Sequence, residues 1–309
     1  CQHHIGGGIM SKAAIIGAGH VGSHVAASFC FQQVVDEIVL IDIDEKKAWA
    51  HATDLSDMGA NLPRAARVYA GGYGDIADAD LVIISACAKF FDEDRLRELD
   101  DTIAVMDDIV EKLAPSGFAG IVLSISNPCD IVAQYIAQRT GLNVIGTGTM
   151  LDSARLRCRL ADVLGVAPAS VQAYCLGEHG DSQVLLLSGA MVGGQPLALF
   201  AGPERAEDIE KAARDTVTAG WDIVLGKGCT EFGIGAATAE LARAILHDEG
   251  KVLPCSTMLR GAYGVEGVYA SVPCLIGREG VKGVVEAPLN AEERAAFARS
   301  CEVLRAHVR

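Results

Sequence analysis

The run Leu176-Gly-Glu-His-Gly-Asp-Ser182 follows a strand-like stretch and sets one imidazole, His179, among glycines that let the backbone bend tightly and admit a ligand. Of the eight histidines it is the one in a run shaped for exposure at a bend. Asp152 and Arg155, in Met150-Leu-Asp-Ser-Ala-Arg155, lie three apart at the start of a polar helix and share one helix face. On a solvated surface such a pair contributes about 0.3–0.5 kcal/mol and no chemistry. Lining a cleft, its members have separate tasks. Asp152 would orient the His179 ring and hold its pKa above about 6.5, keeping a proton available near neutrality. Arg155, planar and permanently charged, would take a substrate carboxylate in a two-pronged bond. Hydride transfer to a ketone builds negative charge on the carbonyl oxygen and needs a proton donor, a cation to polarise the bond and a clamp for the carboxylate. The minimum is one His, one carboxylate and two Arg, of which this group supplies all but the second Arg. Arg157 and Arg159 read as solvated helix-face residues.

These groups need a scaffold, and the first half of the chain supplies its signature. Ala13 to Ile16 is a short apolar run, Gly17-Ala-Gly-His-Val-Gly22 follows, Val21 to Gln32 has helical apolar spacing, and Glu37 to Ile41 is apolar again. In such a turn the first glycine makes the bend, the second lets backbone approach a pyrophosphate, and the third lets helix pack on strand. Gly17, Gly19, His20, Val21 and Gly22 are therefore cofactor-binding candidates. Asp42 ends the next strand 20 residues past Gly22, where a carboxylate accepts from a ribose and repels a 2′-phosphate, favouring NAD over NADP. Asp44 to Lys47 read as solvated residues at a helix start.

The alternation continues through Arg67 to Ala70, Leu81 to Ser85, a helix near Asp100 to Leu113, Ile121 to Ser126, a helix near Ile131 to Thr140, and Val144 to Ile145. Wholly apolar strands such as Leu81-Val-Ile-Ile84 fit a parallel sheet covered on both faces, which makes residues 10–146 a doubly wound nucleotide-binding domain. Past Gly146 the rhythm changes to α+β, and residues 147–309 form the expected substrate domain. A helix starts at Asp152, strand-like runs follow at Val171 to Leu176 and Val184 to Leu187, and helices lie near Glu204 to Leu225 and Ile234 to Leu246. Strands at Val252 to Met258, Val268 to Pro273 and Val281 to Val285 precede a closing helix from Ala291 to Ala306. The helix around 234–249 is a candidate to pack back on the first domain.

Composition narrows the partners. Forty acidic against 26 basic residues give a formal charge of −14, which repels nucleic acid and anionic lipid. Half of the 309 residues are hydrophobic, yet no uninterrupted apolar stretch reaches the roughly 18–20 residues of a membrane span. The ten cysteines form no C-x-x-C pair, as expected of reduced thiols in the cytoplasm. No Cys/His pair with metal-ligand spacing lies near His179, so no metal is expected, and a metal-dependent glycosidase is set aside. Residues 1–9, with His3, His4 and a triple glycine before Met10, read as a tag remnant, and nothing after them directs export.

Gly17 to Gly22, Ile125-Ser-Asn-Pro128, Gly146-Thr-Gly-Thr-Met-Leu-Asp-Ser-Ala-Arg155 and Leu176 to Ser182 together resemble the lactate and malate dehydrogenase family, in family order and over essentially the whole chain after Met10. The resemblance implies a Rossmann domain binding NAD, followed by an α+β substrate domain, in a homodimer or homotetramer. It makes His179 the acid/base, Asp152 its partner and Arg155 the carboxylate clamp. Asn127 is placed near the carbonyl and nicotinamide, Thr230 in the substrate pocket, and Ile234 behind the nicotinamide ring. Arg95 fits the remaining family cation, on a loop whose closure expels water.

The loop Ala86 to Arg95 departs from the family, being one residue shorter and without its glycine-containing stretch. The specificity position, Gln for lactate and Arg for malate, falls on Phe90 counting from the strand and on Lys89 counting back from Arg95. Phe90 would give an apolar pocket for pyruvate or a bulkier 2-oxo acid and strand a second carboxylate without a partner. Lys89 would offer that carboxylate a charge. Asp94 to Leu99 and Ser116 to Gly120 look most like the L-2-hydroxyisocaproate dehydrogenase branch. The resemblance thus implies a lactate-type enzyme on a monocarboxylic 2-oxo acid, with malate dehydrogenase as the alternative. An inactive NAD-binding sensor is a remoter one, since it need not keep His179, Asp152 and Arg155 together. Gln172 stands where the family's fructose 1,6-bisphosphate-activated members carry a His, so activation is expected to be weak or absent.

Overall fold

A computed structural model describes residues 10–88 and 95–309, with residues 95–98 as backbone alone. The first half runs β1 (Lys12–Ile16), α1 (His20–Gln32), β2 (Glu37–Ile41), α2 (Glu45–Gly59), β3 (Arg67–Ala70), β4 (Leu81–Ile84), α3 (Arg95–Leu113), β5 (Ile121–Ser124), α4 (Cys129–Thr140) and β6 (Asn143–Gly146). The second half runs α5 (Met150–Leu164), β7 (Val171–Gln172), β8 (Cys175–Leu176), β9 (Val184–Leu185), β10 (Met191–Val192), β11 (Gln195–Pro196), α6 (Leu197–Ala201), α7 (Ala206–Lys227), α8 (Phe232–Leu246), β12 (Lys251–Arg260), β13 (Glu266–Gly277), β14 (Gly280–Val284) and α9 (Ala291–Ala306).

Strands β1 to β6 pair in parallel in the order β3-β2-β1-β4-β5-β6. Alternate residues of each strand enter opposite faces, and both faces are buried. Ala13, Ile15, Ile38, Leu40, Leu81, Ile83, Ile121 and Leu123 join the core on one side. Ala14, Ile16, Val39, Ile41, Val82, Ile84 and Val122 join the core on the other. Each buried Ile, Leu or Val among them stabilises the fold by roughly 1.5–3 kcal/mol, and burial on both faces is why these strands read as unbroken apolar runs. The chain order reverses between β1 and β4, and a doubly wound sheet opens a crevice outside the carboxyl ends of its strands at that point.

One feature goes beyond the sequence reading and another departs from it. The sequence reading left open which strands β12, β13 and β14 would join. β12 pairs antiparallel with β6 at Ser256 and Gly146 and extends the same sheet to nine strands among the described residues. An unpaired β6 edge would leave backbone groups without partners, and Gly146 permits the approach, because a Cβ there would lie 2.9 Å from the Cβ of Ser256. The expected strand Val171 to Leu176 is two pieces serving different partners, β7 on β10 and β8 on β9. Helix α8 packs against α1, where a Cβ on Gly235 would meet the His24 carbonyl oxygen at 2.9 Å. A smaller core forms among α5, α6, α7, β7 and β10. Among the described residues no helix is long and apolar enough to cross a membrane.

Candidate active site

The glycine turn after β1 is built for close backbone approach. Gly17 has φ +98°, a region disfavoured for residues with a Cβ, and a Cβ there would lie 2.7 Å from the Ala86 nitrogen. On Gly22 it would lie 1.9 Å from the Gly17 carbonyl oxygen. At Gly19 the space is open, the nearest atom being the Lys47 Nζ at 3.8 Å. Gly19 is also the N-cap of α1, and no side chain caps that terminus. Free N–H groups and the positive end of the helix dipole face that space, which suits a pyrophosphate. Asp42 Oδ2 accepts from the Ala18 amide at 2.8 Å and Oδ1 from the Asp44 amide at 3.0 Å. The carboxylate thereby fixes the turn and keeps lone pairs for a ribose. Val21 packs on the core, and the His20 side chain is 81% exposed at the head of α1. The room, the donors and the acid fit a dinucleotide.

The chemical groups gather at the same end of the sheet. Helix α5 begins just after β6, and its first-turn Asp152 is only 2% exposed. The Thr149 hydroxyl donates to the Cys175 carbonyl at 2.6 Å, and the Cys175 amide donates to Ser153 Oγ at 2.8 Å. Strand β8 is thereby stitched to α5. Gly177, at φ +85°, then turns the chain while its amide and carbonyl pair with Ser271. A Cβ on Gly177 would lie 2.4 Å from Ser300 Oγ, so this turn needs glycine. The result sets His179 over Asp152, with Nδ1 2.6 Å from Asp152 Oδ2. Arg155 Nη1 donates to the other oxygen, Oδ1, at 3.0 Å.

One carboxylate thus serves both cations. The negative charge of Asp152 raises the His179 pKa to about 9, against the downward pull of burial and of Arg155. Burial pushes the Asp152 carboxyl upward, but His179 and Arg155 outweigh it and hold it below its ordinary value. Arg155 is 11% exposed and lies under α7, where a Cβ on Gly220 would be 3.6 Å from its Nη1.

The remaining sequence candidates fall around this cluster. Asn127 is exposed in the turn between β5 and α4, just after Ser126, whose hydroxyl donates to the Ala86 carbonyl at 2.6 Å. Thr230 is half-buried between α7 and α8, and Ile234 packs on the core from the first turn of α8. Helix α8 starts against α5, where a Cβ on Gly233 would lie 2.7 Å from Leu151 Cδ1. Arg95 is the first residue of α3, its side chain outside the described atoms, and Lys89 and Phe90 lie outside the described residues.

The sequence reading missed Asp130. It is 2% exposed on the first turn of α4, and its Oδ2 accepts from the His179 amide at 2.8 Å. Its Oδ1 accepts from the Ser271 hydroxyl at 3.3 Å. Burial pushes its pKa up, and its charge adds to the elevation at His179. The one signal in the sequence is an acid in the first turn of α4, three residues after Asn127.

A glycine turn of dinucleotide-binding form, sharing one sheet end with an imidazole and a guanidinium held on one buried carboxylate, is the arrangement of a nicotinamide-dependent dehydrogenase of small hydroxy acids. The chain belongs to the lactate/malate dehydrogenase family. Residues 11–145 match its NAD binding domain and residues 149–309 its alpha/beta C-terminal domain. It is 41% identical over 304 residues to the L-lactate dehydrogenase of Fusobacterium nucleatum subsp. nucleatum, covering 96% of both chains. It is 41% identical over 301 residues to L-lactate dehydrogenase 1 of Staphylococcus aureus, covering 96% of this chain and 95% of that one. Among solved structures, the minor L-lactate dehydrogenase of Enterococcus mundtii with ligands bound superposes with a TM-score of 0.93 at 36% identity, over 96% of this chain and 97% of that one.

Proposed function

We propose that the protein is an L-lactate dehydrogenase-like 2-hydroxy acid dehydrogenase, interconverting a monocarboxylic 2-oxo acid and its L-2-hydroxy acid. One observation carries this reading: Asp152 holds His179 through Nδ1 at 2.6 Å and Arg155 at 3.0 Å. With Nδ1 committed to Asp152, the opposite nitrogen, Nε2, is the one that gives its proton to the carbonyl oxygen. Bound NADH supplies the hydride. Arg155 takes the substrate carboxylate, and its link to Asp152 fixes the distance between clamp and proton donor. Asn127 and Arg95 polarise the carbonyl, Thr230 lines the substrate pocket, and Ile234 backs the nicotinamide. Gly17, Gly19, His20, Val21 and Gly22 receive the pyrophosphate, and Asp42 the ribose.

The division into residues 10–146 for cofactor and 147–309 for substrate belongs to the same reading, as do a two- or four-copy assembly and a cytoplasmic setting. Following NADH oxidation with pyruvate, 2-oxoisocaproate, phenylpyruvate and oxaloacetate side by side tests it. A monocarboxylic acid should give the highest kcat/KM. Preference for oxaloacetate would replace the assignment with malate dehydrogenase, and no turnover with any of the four would leave an NAD-binding sensor.

A further inference from the structure

Apart from the His179 cluster, a second group of chemically active side chains meets where α1 faces the turn between α7 and α8. Glu231 has a side chain only 12% exposed, and its Oε1 is held by the Lys227 ammonium. The other oxygen, Oε2, faces the Cys229 Sγ at 3.3 Å and the His20 Nδ1 at 3.6 Å. One ligand atom from each of His20, Cys229 and Glu231 lies within 4.8 Å of the others. His24 Nδ1 is 3.5 Å from the same oxygen but is also 2.7 Å from the His20 carbonyl, which occupies it and steadies the first turn of α1.

We propose that His20, Cys229 and Glu231 form a binding site for a divalent transition-metal ion of the zinc type. Imidazole, thiolate and carboxylate are the three side-chain donors zinc takes, and bonds of about 2.0–2.3 Å in a tetrahedron set ligand atoms roughly 3.3–3.6 Å apart. The two separations to Glu231 Oε2 fall in that range without rearrangement. Three protein ligands leave a fourth position for water. On binding, the Cys229 thiol gives its proton to solvent and the sulfur takes the metal in its place. Lys227 stays on Oε1, fixing the carboxylate so that it ligates through one oxygen. His20 heads α1 and the other two ligands flank Thr230, so the ion cross-links the glycine turn to the α7–α8 turn.

The test is a titration of the full chain with zinc against a chromophoric chelator, beside Cys229→Ser and Glu231→Gln. The wild type should bind one ion that each variant binds at least ~100-fold more weakly, with NADH-dependent turnover of Cys229→Ser in metal-free buffer unchanged. Cys1, His3 and His4 are present in all three proteins, so any ion they hold appears equally in each. Cobalt(II) should give a thiolate-to-metal charge-transfer band in the wild type that is missing in Cys229→Ser, a signature independent of any change in folding stability. Equal zinc affinity in all three proteins, or no thiolate band with cobalt, would overturn the site.

Discussion

Replacing Asp152 with Asn tests whether the proton supply is set by one buried charge. The substitution keeps the shape and lets the amide oxygen still accept from Nδ1, so the ring can stay in place while the charge is lost. Asp152 is the largest contribution holding the His179 pKa at about 9 rather than 6.5. Without it, burial and the Arg155 guanidinium pull the imidazolium down and, among the described residues, Asp130 opposes them, so the pKa should fall to about 6.5 or lower. Near pH 7.5 a group of pKa 9 is almost wholly protonated, whereas one at 6.5 is roughly one-tenth protonated. Protonation alone should therefore cost about tenfold in kcat/KM for 2-oxo acid reduction, with any loss of orientation adding to it. The assay is NADH oxidation with pyruvate across pH 5.5–10, with NADH binding followed separately by fluorescence. The alkaline fall in kcat/KM should move from about 9 to 6.5 or below, and below that pH the variant should recover the part of its deficit that protonation causes. A variant whose alkaline limb still lies near 9 would refute the electrostatic account, whatever its absolute rate.

Four other outcomes are expected. Stabilisation from the raised His179 pKa, at most about 3 kcal/mol, should be fully present below pH 6.5 and lost as pH rises through about 9. Denaturant unfolding of wild type and His179→Asn at pH 6 and pH 9.5 should show their gap narrowing at the higher pH. Arg155→Lys should lower kcat/KM about 10–100-fold through loss of a charged, two-pronged bond, while NADH binding measured by fluorescence stays intact. Gly22→Ala should lower denaturation stability by about 1–3 kcal/mol, since its Cβ would lie 1.9 Å from a backbone oxygen; Gly19→Ala should cost under about 1 kcal/mol yet weaken NADH binding about tenfold, because its Cβ fills the space left for the pyrophosphate. Asp130→Ala strands the His179 amide at a cost of about 1–3 kcal/mol and should lower kcat with little change in KM, whereas Asp130→Asn, which still accepts from that amide, should retain most of the activity.

How much of this was legible in the sequence follows from the range over which each residue acts. Gly17 and Gly22 stand out because their reasons are local, a positive φ at one and contact with the neighbouring turn at the other. Asp152 and Arg155 stand out because three residues on a helix bring side chains together whatever else the chain does. His179 is legible only as a bend in search of partners. Its partner is supplied by Thr149 and Ser153, whose hydroxyls tie β8 to α5 and so decide where the bend points. Neither hydroxyl announces itself, because Ser and Thr near a helix start read as ordinary caps.

Asp130 is hidden for a related reason. Every residue of α4 from Cys129 to Ile136 is buried, so no polar face sets the acid apart, and an acid in a first turn already has a sufficient explanation in the helix dipole. The joining of β12 to β6 and the splitting of Val171 to Leu176 between two partners are pairing choices, and a strand's apolar pattern states that it needs neighbours without naming them. The same limit applies to His20, Cys229 and Glu231, which lie on two segments that only the packing of α8 on α1 brings face to face. In this chain, local chemistry shows which residues can act, and the long-range hydrogen bonds of Thr149, Ser153, Asp130 and Ser271 decide which of them act together.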